Sequence, residues 1–333
     1  MPAMSDPIFI GVDVGGTSLR AARFTGHQST PDRKIKTPTQ PDGDPAGVLD
    51  RLEHAIRDVA PPGLDGVAAI GLGIPGPVDP RLGEVISLTN IPGWKHLRLQ
   101  KIMQARLGRP VFLGNDANLA ALGEWKFGAG RGHRDVLYMT ISTGIGGGVI
   151  LDNRLLLGAR GLAAEVGHIL LQPDGPLCGC GQRGCLEALA AGPAITRRAV
   201  SRLEAGEGAS STLRALTGGD LSRLNTALIG QAAQQGDAFS QSLLAEAGHY
   251  IGYALASLLH VFNPSIVILG GGVSLVGDLL FDPIRAAIRR YAMNDFYWRD
   301  VPVVGAALGD DAGLVGAGAL AMEESRALVM PDR

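Results

Sequence analysis

The first apolar run, Ile8-Phe9-Ile10-Gly11-Val12, is short, ends at Asp13, and gives way to Val14-Gly15-Gly16-Thr17. Leu19–Phe24 then resumes an extended pattern, which predicts a β-hairpin closed by a glycine turn. Residues 30–45, rich in Pro, Thr and Asp, read as a surface loop. Val48, Leu49, Leu52, Ile56 and Val59 recur at helical spacing and predict a helix over Ala46–Val59, stopped by Pro61-Pro62-Gly63. Val67–Leu72 reads as a buried strand running into the loop Gly73–Pro77. A helix over Leu97–Leu107 ends at Gly108, with Pro110 beyond.

The same order then returns. Val136–Ile141 predicts a strand, Ser142–Gly148 a glycine turn and Val149–Leu151 the return strand. Ser265–Leu269 is a strand ending in Gly270-Gly271-Gly272, the counterpart of Val67–Gly73. Hairpin, helix, and strand with a glycine loop thus occur twice, which predicts a duplicated α/β architecture with a cleft between two halves. A long helix over Ala238–Phe262 ends before Pro264, and Ala312–Leu328 reads as a small-residue helix packing back on the first half.

Composition narrows the function classes. Glycine supplies 48 of 333 residues, about twice the usual share, without reaching the glycine-plus-proline level of low-complexity chains. A hydrophobic content of 46% is ample for a core, and a net charge of −2 argues against a polyanion-binding surface. Asp6, and no Lys or Arg before Arg20, is not the start of a signal peptide. Stretches such as Ile251–Leu259 are too short to span a bilayer. The expectation is a soluble cytoplasmic protein.

The two glycine turns are candidate phosphate sites. Asp13-Val14-Gly15-Gly16-Thr17 puts a carboxylate at a strand end, then two residues whose backbone N–H groups can close on an oxyanion, then a hydroxyl. A carboxylate beside a phosphate needs a cation between them, so Asp13 is expected to face Mg²⁺, directly or through water. Thr143-Gly144-Ile145-Gly146-Gly147-Gly148 repeats the chemistry from the other half. Taken singly, either turn also reads as an ordinary tight hairpin. Val149 breaks a dinucleotide fingerprint, and no Gly-Lys-Ser/Thr occurs, which excludes a P-loop.

His168 is followed by Cys178, Cys180 and Cys185 with glycines interleaved. One imidazole and three thiols are the four N/S ligands of a closed tetrahedral zinc site, which would organise structure and not catalyse. Redox chemistry, the rival, would favour a Cys-x-x-Cys spacing that is absent. Locking this loop would fix Glu165 and Glu187. Asp116, after the apolar run Val111–Gly114, is the acid/base candidate, with a plain helix N-cap as the alternative. His27, His54, His96, His133, His249 and His260 sit in no constellation and read as surface or structural residues.

Together, Asp13-Val-Gly-Gly-Thr17, Asn115-Asp116, the Thr143 turn, Glu165-Val-Gly-His168 and Cys178-x-Cys-Gly-x-x-Gly-Cys185-x-Glu187 closely resemble the ROK family of bacterial repressors, open-reading-frame proteins and sugar kinases. The resemblance covers nearly the whole chain. It implies an actin-like, ribonuclease-H-like duplication, divided as 1–115 with 312–333 against 116–311, with sugar and nucleotide in the cleft. It implies that Asp116 is the base that deprotonates a sugar 6-hydroxyl. Asn115, Glu165, His168 and Glu187 would hold sugar hydroxyls, with Gly76 and Thr89-Asn90 completing the pocket. Gly15, Gly16, Thr17, Ser18, Arg20, Thr143 and Gly144 would line ATP phosphates, and Gly271 and Gly272 would approach the nucleotide. His168, Cys178, Cys180 and Cys185 would hold Zn²⁺, and Mg²⁺ would accompany ATP.

The activity so implied is ATP-dependent phosphorylation of a hexose, expected to be glucose, in a protein that forms homodimers. Relatives with these motifs also take N-acetylglucosamine, N-acetylmannosamine, fructose or allose, and some accept polyphosphate as donor. Pro77, where certain N-acetylmannosamine kinases carry Arg, disfavours that sugar. A sugar-responsive repressor is the competing class. With the first motif at Asp13 there is no room for a preceding helix-turn-helix, and no nucleic-acid or membrane partner is expected. A non-catalytic actin-like module would not need Asp116.

Overall fold

A computed structural model describes residues 6–40, 45–88, 91 and 93–329. The first half comprises β1 (Ile8–Val14), β2 (Ser18–Thr25), β3 (Arg33–Pro38), α1 (Pro45–Val59), β4 (Val67–Ile74), β5 (Val78–Asp79), β6 (Glu84–Ser87), β7 (Lys95–Leu97), α2 (Leu99–Leu107) and β8 (Val111–Asn115), after which helix α3 (Asp116–Phe127) leads into the second half. The second comprises β9 (Val136–Ile141), β10 (Ile145–Leu151), β11 (Arg154–Leu155), α4 (Leu186–Ala190), α5 (Gly192–Glu204), α6 (Leu213–Leu216), α7 (Thr226–Gln234), α8 (Ala238–Phe262), β12 (Ile266–Gly270), α9 (Asp278–Tyr291), β13 (Val303–Gly305) and the returning α10 (Ala312–Val329).

The repeat read from the chain is a repeat of topology. One sheet runs β3-β2-β1-β4-β8 and the other β11-β10-β9-β12-β13. In each, an antiparallel hairpin supplies the central strand, and two further strands add parallel to it. β1, β4, β9 and β12 are covered on both faces, which is why they read as near-continuous apolar runs. A small sheet, β5-β6-β7, is inserted in the first half and was not anticipated.

Three expectations need correction. Within 30–45, residues 33–38 form edge strand β3 and not a loop; its exposed, polar composition is legible as a strand only through its ladder with β2. The second glycine turn is shorter than expected, because Gly146, Gly147 and Gly148 lie inside β10. A Cβ on Gly148 would lie 2.5 Å from the Ala121 Cβ and 3.1 Å from the Asn118 Cα, so bare backbone there lets α3 rest on the strand. Leu97 belongs to β7, and the following helix starts at Leu99.

α3 and α10 form the seam between the halves. α10 packs on the first sheet through Leu314, Val315, Ala321 and Met322, while Ala120 and Ala121 of α3 pack on Val136, Tyr138 and Ile268 of the second. The two helices meet through Leu119, Leu122, Ala317 and Ala319. Their axes approach closely because a Cβ on Gly316 would overlap the Leu119 carbonyl, and one on Gly123 would lie 2.7 Å from the Ala312 carbonyl oxygen. Gly316→Ala is therefore expected to lose about 1–3 kcal/mol of stability, read as a lower urea midpoint at unchanged slope.

Candidate active site

The junction of β8 and α3 separates two neighbouring residues by role. Asn115, with extended backbone, is the N-cap: its Oδ1 accepts from the backbone N–H groups of Ala117 at 3.0 Å and Asn118 at 3.1 Å. Its Nδ2 donates to the Gly76 carbonyl at 3.2 Å, which joins the loop after β4 to the site. Asp116 is thus relieved of capping and keeps one local bond, from Ala117 N–H at 2.8 Å. Its carboxyl is raised from the ordinary value to about 6, foremost by burial and further by the nearby carboxylates of Asp13 and Glu165. A carboxyl so tuned in a cleft has the acidity of a general base working near neutral pH.

Asp13, the next-to-last residue of β1, is near enough to Asp116 for its charge to raise that carboxyl. The turn after it closes through Gly15 N–H to the Ser18 carbonyl at 2.9 Å. Thr39, fully buried beyond β3, braces that turn: its hydroxyl donates to the Gly15 carbonyl at 2.6 Å and its N–H to the Thr17 carbonyl at 3.0 Å. Arg20, expected to line phosphates, pairs with Oδ2 of Asp13 and donates to the Asp310 carbonyl at 2.6 Å. Both of its contacts to Asp13 go to that one oxygen.

Beyond the second turn lies a cavity of about 680 Å³. Ser142, Thr143 and Gly272 form one wall, and the first turns of α5 (Pro193, Thr196) and α7 (Asn225, Thr226, Ala227) form the others. Gly271, at φ +83°, packs against the Ile141 backbone where a side chain would not fit. The α5 and α7 walls escaped the sequence reading. Their signals are a Pro at a helix start and an Asn N-cap, which mark helices generally and not a site.

His168, Cys178, Cys180 and Cys185 converge, one ligand atom from each lying within 4.8 Å of all the others. Cys178 Sγ is 3.7 Å from His168 Nδ1, and Cys180 Sγ is 3.7 Å from Cys185 Sγ. A tetrahedral ion with bonds of about 2.3 Å to sulfur separates its ligands by about 3.8 Å, so the donor set fits zinc. Glu187 links this loop to the second hairpin: its Oε1 accepts from Cys178 Sγ at 3.5 Å and its Oε2 from Ile145 N–H at 3.0 Å. Gly144 borders it, since a Cβ there would lie 2.5 Å from Glu187 Oε2.

Glu165 is exposed and opens the 3₁₀ turn that carries His168; Ala164 before it holds φ +67°. Arg81, in the turn between β5 and β6, donates to the carbonyls of Ala159 at 2.7 Å and Gly158 at 3.0 Å. The structure thus brings Asp13 and Glu165 within electrostatic reach of Asp116, ties Asn115 to Gly76, and ties Glu187 to Gly144, Ile145 and the cysteine loop. Thr89 and Asn90 lie outside the described residues. His96, His133 and His260 bond Glu84, Ser265 and the Met293 N–H, structural roles as expected.

A family model described as "ROK family" matches residues 9–324. A glucokinase of Streptomyces coelicolor is 41% identical over 94% of this chain and 97% of that protein. A glucokinase of Thermotoga maritima is 37% identical, with the same coverage of both chains. Among solved structures, a ROK family glucokinase from Streptomyces griseus in complex with glucose and AMPPNP superposes with a TM-score of 0.81 at 41% identity, covering 95% of this chain and 99% of that one. The twin sheets are those of the duplicated actin-like, ribonuclease-H-like α/β fold. With a match running over nearly its entire length, the chain belongs to the ROK family.

Proposed function

We propose that this protein transfers the γ-phosphoryl group of ATP to the 6-hydroxyl of glucose. The observation that carries this is Asp116, a carboxyl near pKa 6 released from capping by Asn115 and set beside Asp13 and Glu165 in the cleft. Asp116 accepts the hydroxyl proton as that oxygen attacks phosphorus; the bond from phosphorus to the ADP oxygen breaks, and the proton leaves Asp116 for solvent afterwards. Gly76, Asn115, Glu165, His168 and Glu187 hold the sugar hydroxyls, together with Thr89 and Asn90. Gly15, Gly16, Thr17 and Ser18 from one half and Thr143 and Gly144 from the other hold the phosphates. The base and ribose occupy the cavity beyond Thr143, against Gly271 and Gly272.

Mg²⁺, held with the nucleotide opposite Asp13, would neutralise phosphate charge. Zn²⁺ on His168, Cys178, Cys180 and Cys185 would brace the sugar loop. Residues 1–115 with 312–333, and 116–311, act as the two bodies that close on sugar and exclude water. We place the reaction in the cytoplasm, where ATP is available; among the described residues no helix is long and apolar enough to cross a membrane. The assembly we propose is a homodimer, for which exposed Val261, Met293 and Phe296 offer an apolar face.

A coupled assay of glucose, N-acetylglucosamine, N-acetylmannosamine and fructose, each with ATP and with polyphosphate, tests the reading. Glucose with ATP is expected to give the highest kcat/KM. No ADP release with any sugar would sink the kinase assignment, and preference for an N-acetylhexosamine would overturn glucose. Ala227→Trp, which fills the mouth of the cavity, is expected to raise the KM for ATP about tenfold and leave that for glucose unchanged.

A further inference from the structure

Thr39 belongs to none of the motifs read from the chain, yet it is fully buried and bonded to the first glycine turn. Its hydroxyl donates to the Gly15 carbonyl at 2.6 Å, and its N–H donates to the Thr17 carbonyl at 3.0 Å. Its own carbonyl accepts from Arg51 Nε of α1 at 2.7 Å, and Arg51 Nη2 donates to the Gln40 carbonyl at 2.6 Å. Gln40 holds φ +47°, a left-handed conformation that non-glycine residues seldom adopt. A guanidinium on α1 thus anchors the chain just where it leaves β3.

The consequence lies in the peptide planes. Every peptide bond among the described residues is trans, so the carbonyl and the N–H of one plane point opposite ways. Holding the Gly15 carbonyl towards Thr39 therefore turns the Gly16 N–H away from it. Among the described residues neither the Gly16 nor the Thr17 N–H has an acceptor. Glycine is needed at 15, where a Cβ would lie 2.8 Å from the Ser18 carbonyl oxygen. A plane between two glycines has wide rotational freedom, and the stiff, β-branched Thr39 restrains it from behind.

We propose that Thr39 is a positioning residue for the phosphoryl donor: it holds the Gly15–Gly16 plane so that the Gly16 N–H meets a phosphate oxygen, and Arg51 holds Thr39. The proposal rests on the kinase reading, in which this turn takes the ATP phosphates. Fully buried, Thr39 does not itself touch nucleotide, so its effect passes through the turn. Thr39→Val keeps the branched shape and removes the hydroxyl. The folded variant is expected to bind AMPPNP with Mg²⁺ about tenfold more weakly by calorimetry, with glucose affinity within about twofold of wild type. Thr39→Ser, which keeps the hydroxyl and loses the methyl, is expected to stay within about threefold of wild-type nucleotide affinity. A residue that only filled the core would show the reverse order, since Val replaces the lost packing and Ser does not. Wild-type nucleotide affinity in Thr39→Val, or a larger loss in Thr39→Ser, overturns the proposal.

Should Thr39→Val fail to fold, Arg51→Met decides. It leaves the hydroxyl in place and frees the Thr39 and Gln40 carbonyls, and is expected to weaken AMPPNP about threefold without changing glucose affinity. Unchanged affinity for AMPPNP overturns the brace. Binding is read without turnover, so a wild type that binds AMPPNP yet phosphorylates no hexose fails the kinase reading alone, and the variants still judge the brace. A wild type that binds no AMPPNP overturns both.

Discussion

Asp116→Asn is expected to lower kcat by about 10³-fold while glucose affinity, measured by calorimetry, stays within a few-fold of wild type. Asparagine keeps the shape and the bond from Ala117 N–H but cannot take the proton. The fold should persist because the cap of α3 is Asn115 and not Asp116. In the wild type, kcat/KM should fall as pH drops through about 6, where the carboxyl protonates.

Stability follows the opposite course. The folded value of about 6 lies above the ordinary 3.8, so the contribution of Asp116 to stability is fully present below pH 3.8 and is lost as pH rises through 6. The difference corresponds to roughly 3 kcal/mol at pH 8. Asp116→Asn should therefore melt above wild type at pH 8, with the gap closing below pH 4. An inactive variant that melts lower at pH 8 would return Asp116 to a structural role.

Cys185→Ser, or chelation of the wild type, is expected to remove about one zinc per chain and to cut kcat/KM for glucose about 100-fold. Cys185 is buried, ends the cysteine loop and is the N-cap position of α4, so losing the ion would release His168 and Glu187 together. The second half should stay folded, since its main core is built from β9, β12, α8 and α9 without the cysteines. Far-UV dichroism should change little. Added zinc should restore the chelated wild type and not Cys185→Ser. Cleanly purified protein carrying well under one zinc per chain, yet fully active, would refute the metal.

Much of this site is legible because its signals are local. A glycine turn between two apolar runs, a His and three Cys with glycines interleaved, and a helix stopped by Gly108 or Asn263 each depend on a few neighbouring residues. Asn115 and Asp116 are visible as a pair, but which of them caps and which is free depends on how the first turn of α3 lies against Gly76.

The order of residues by itself determined the duplicated α/β plan, both hairpins, the long helix, the returning helix and the membership of the cysteine cluster, because periodicity and turn chemistry act over short range. Tertiary structure alone decided that residues 33–38 are a strand, since their hydrogen-bond partners lie in β2. It decided that Gly146–Gly148 serve packing under α3, and that the first turns of α5 and α7 wall a cavity. It also joined Glu124 to Ala307 and Leu308 across more than half the chain. Those pairings unite residues far apart in sequence, and no short-range pattern records which backbone groups will meet once two halves pack along one seam.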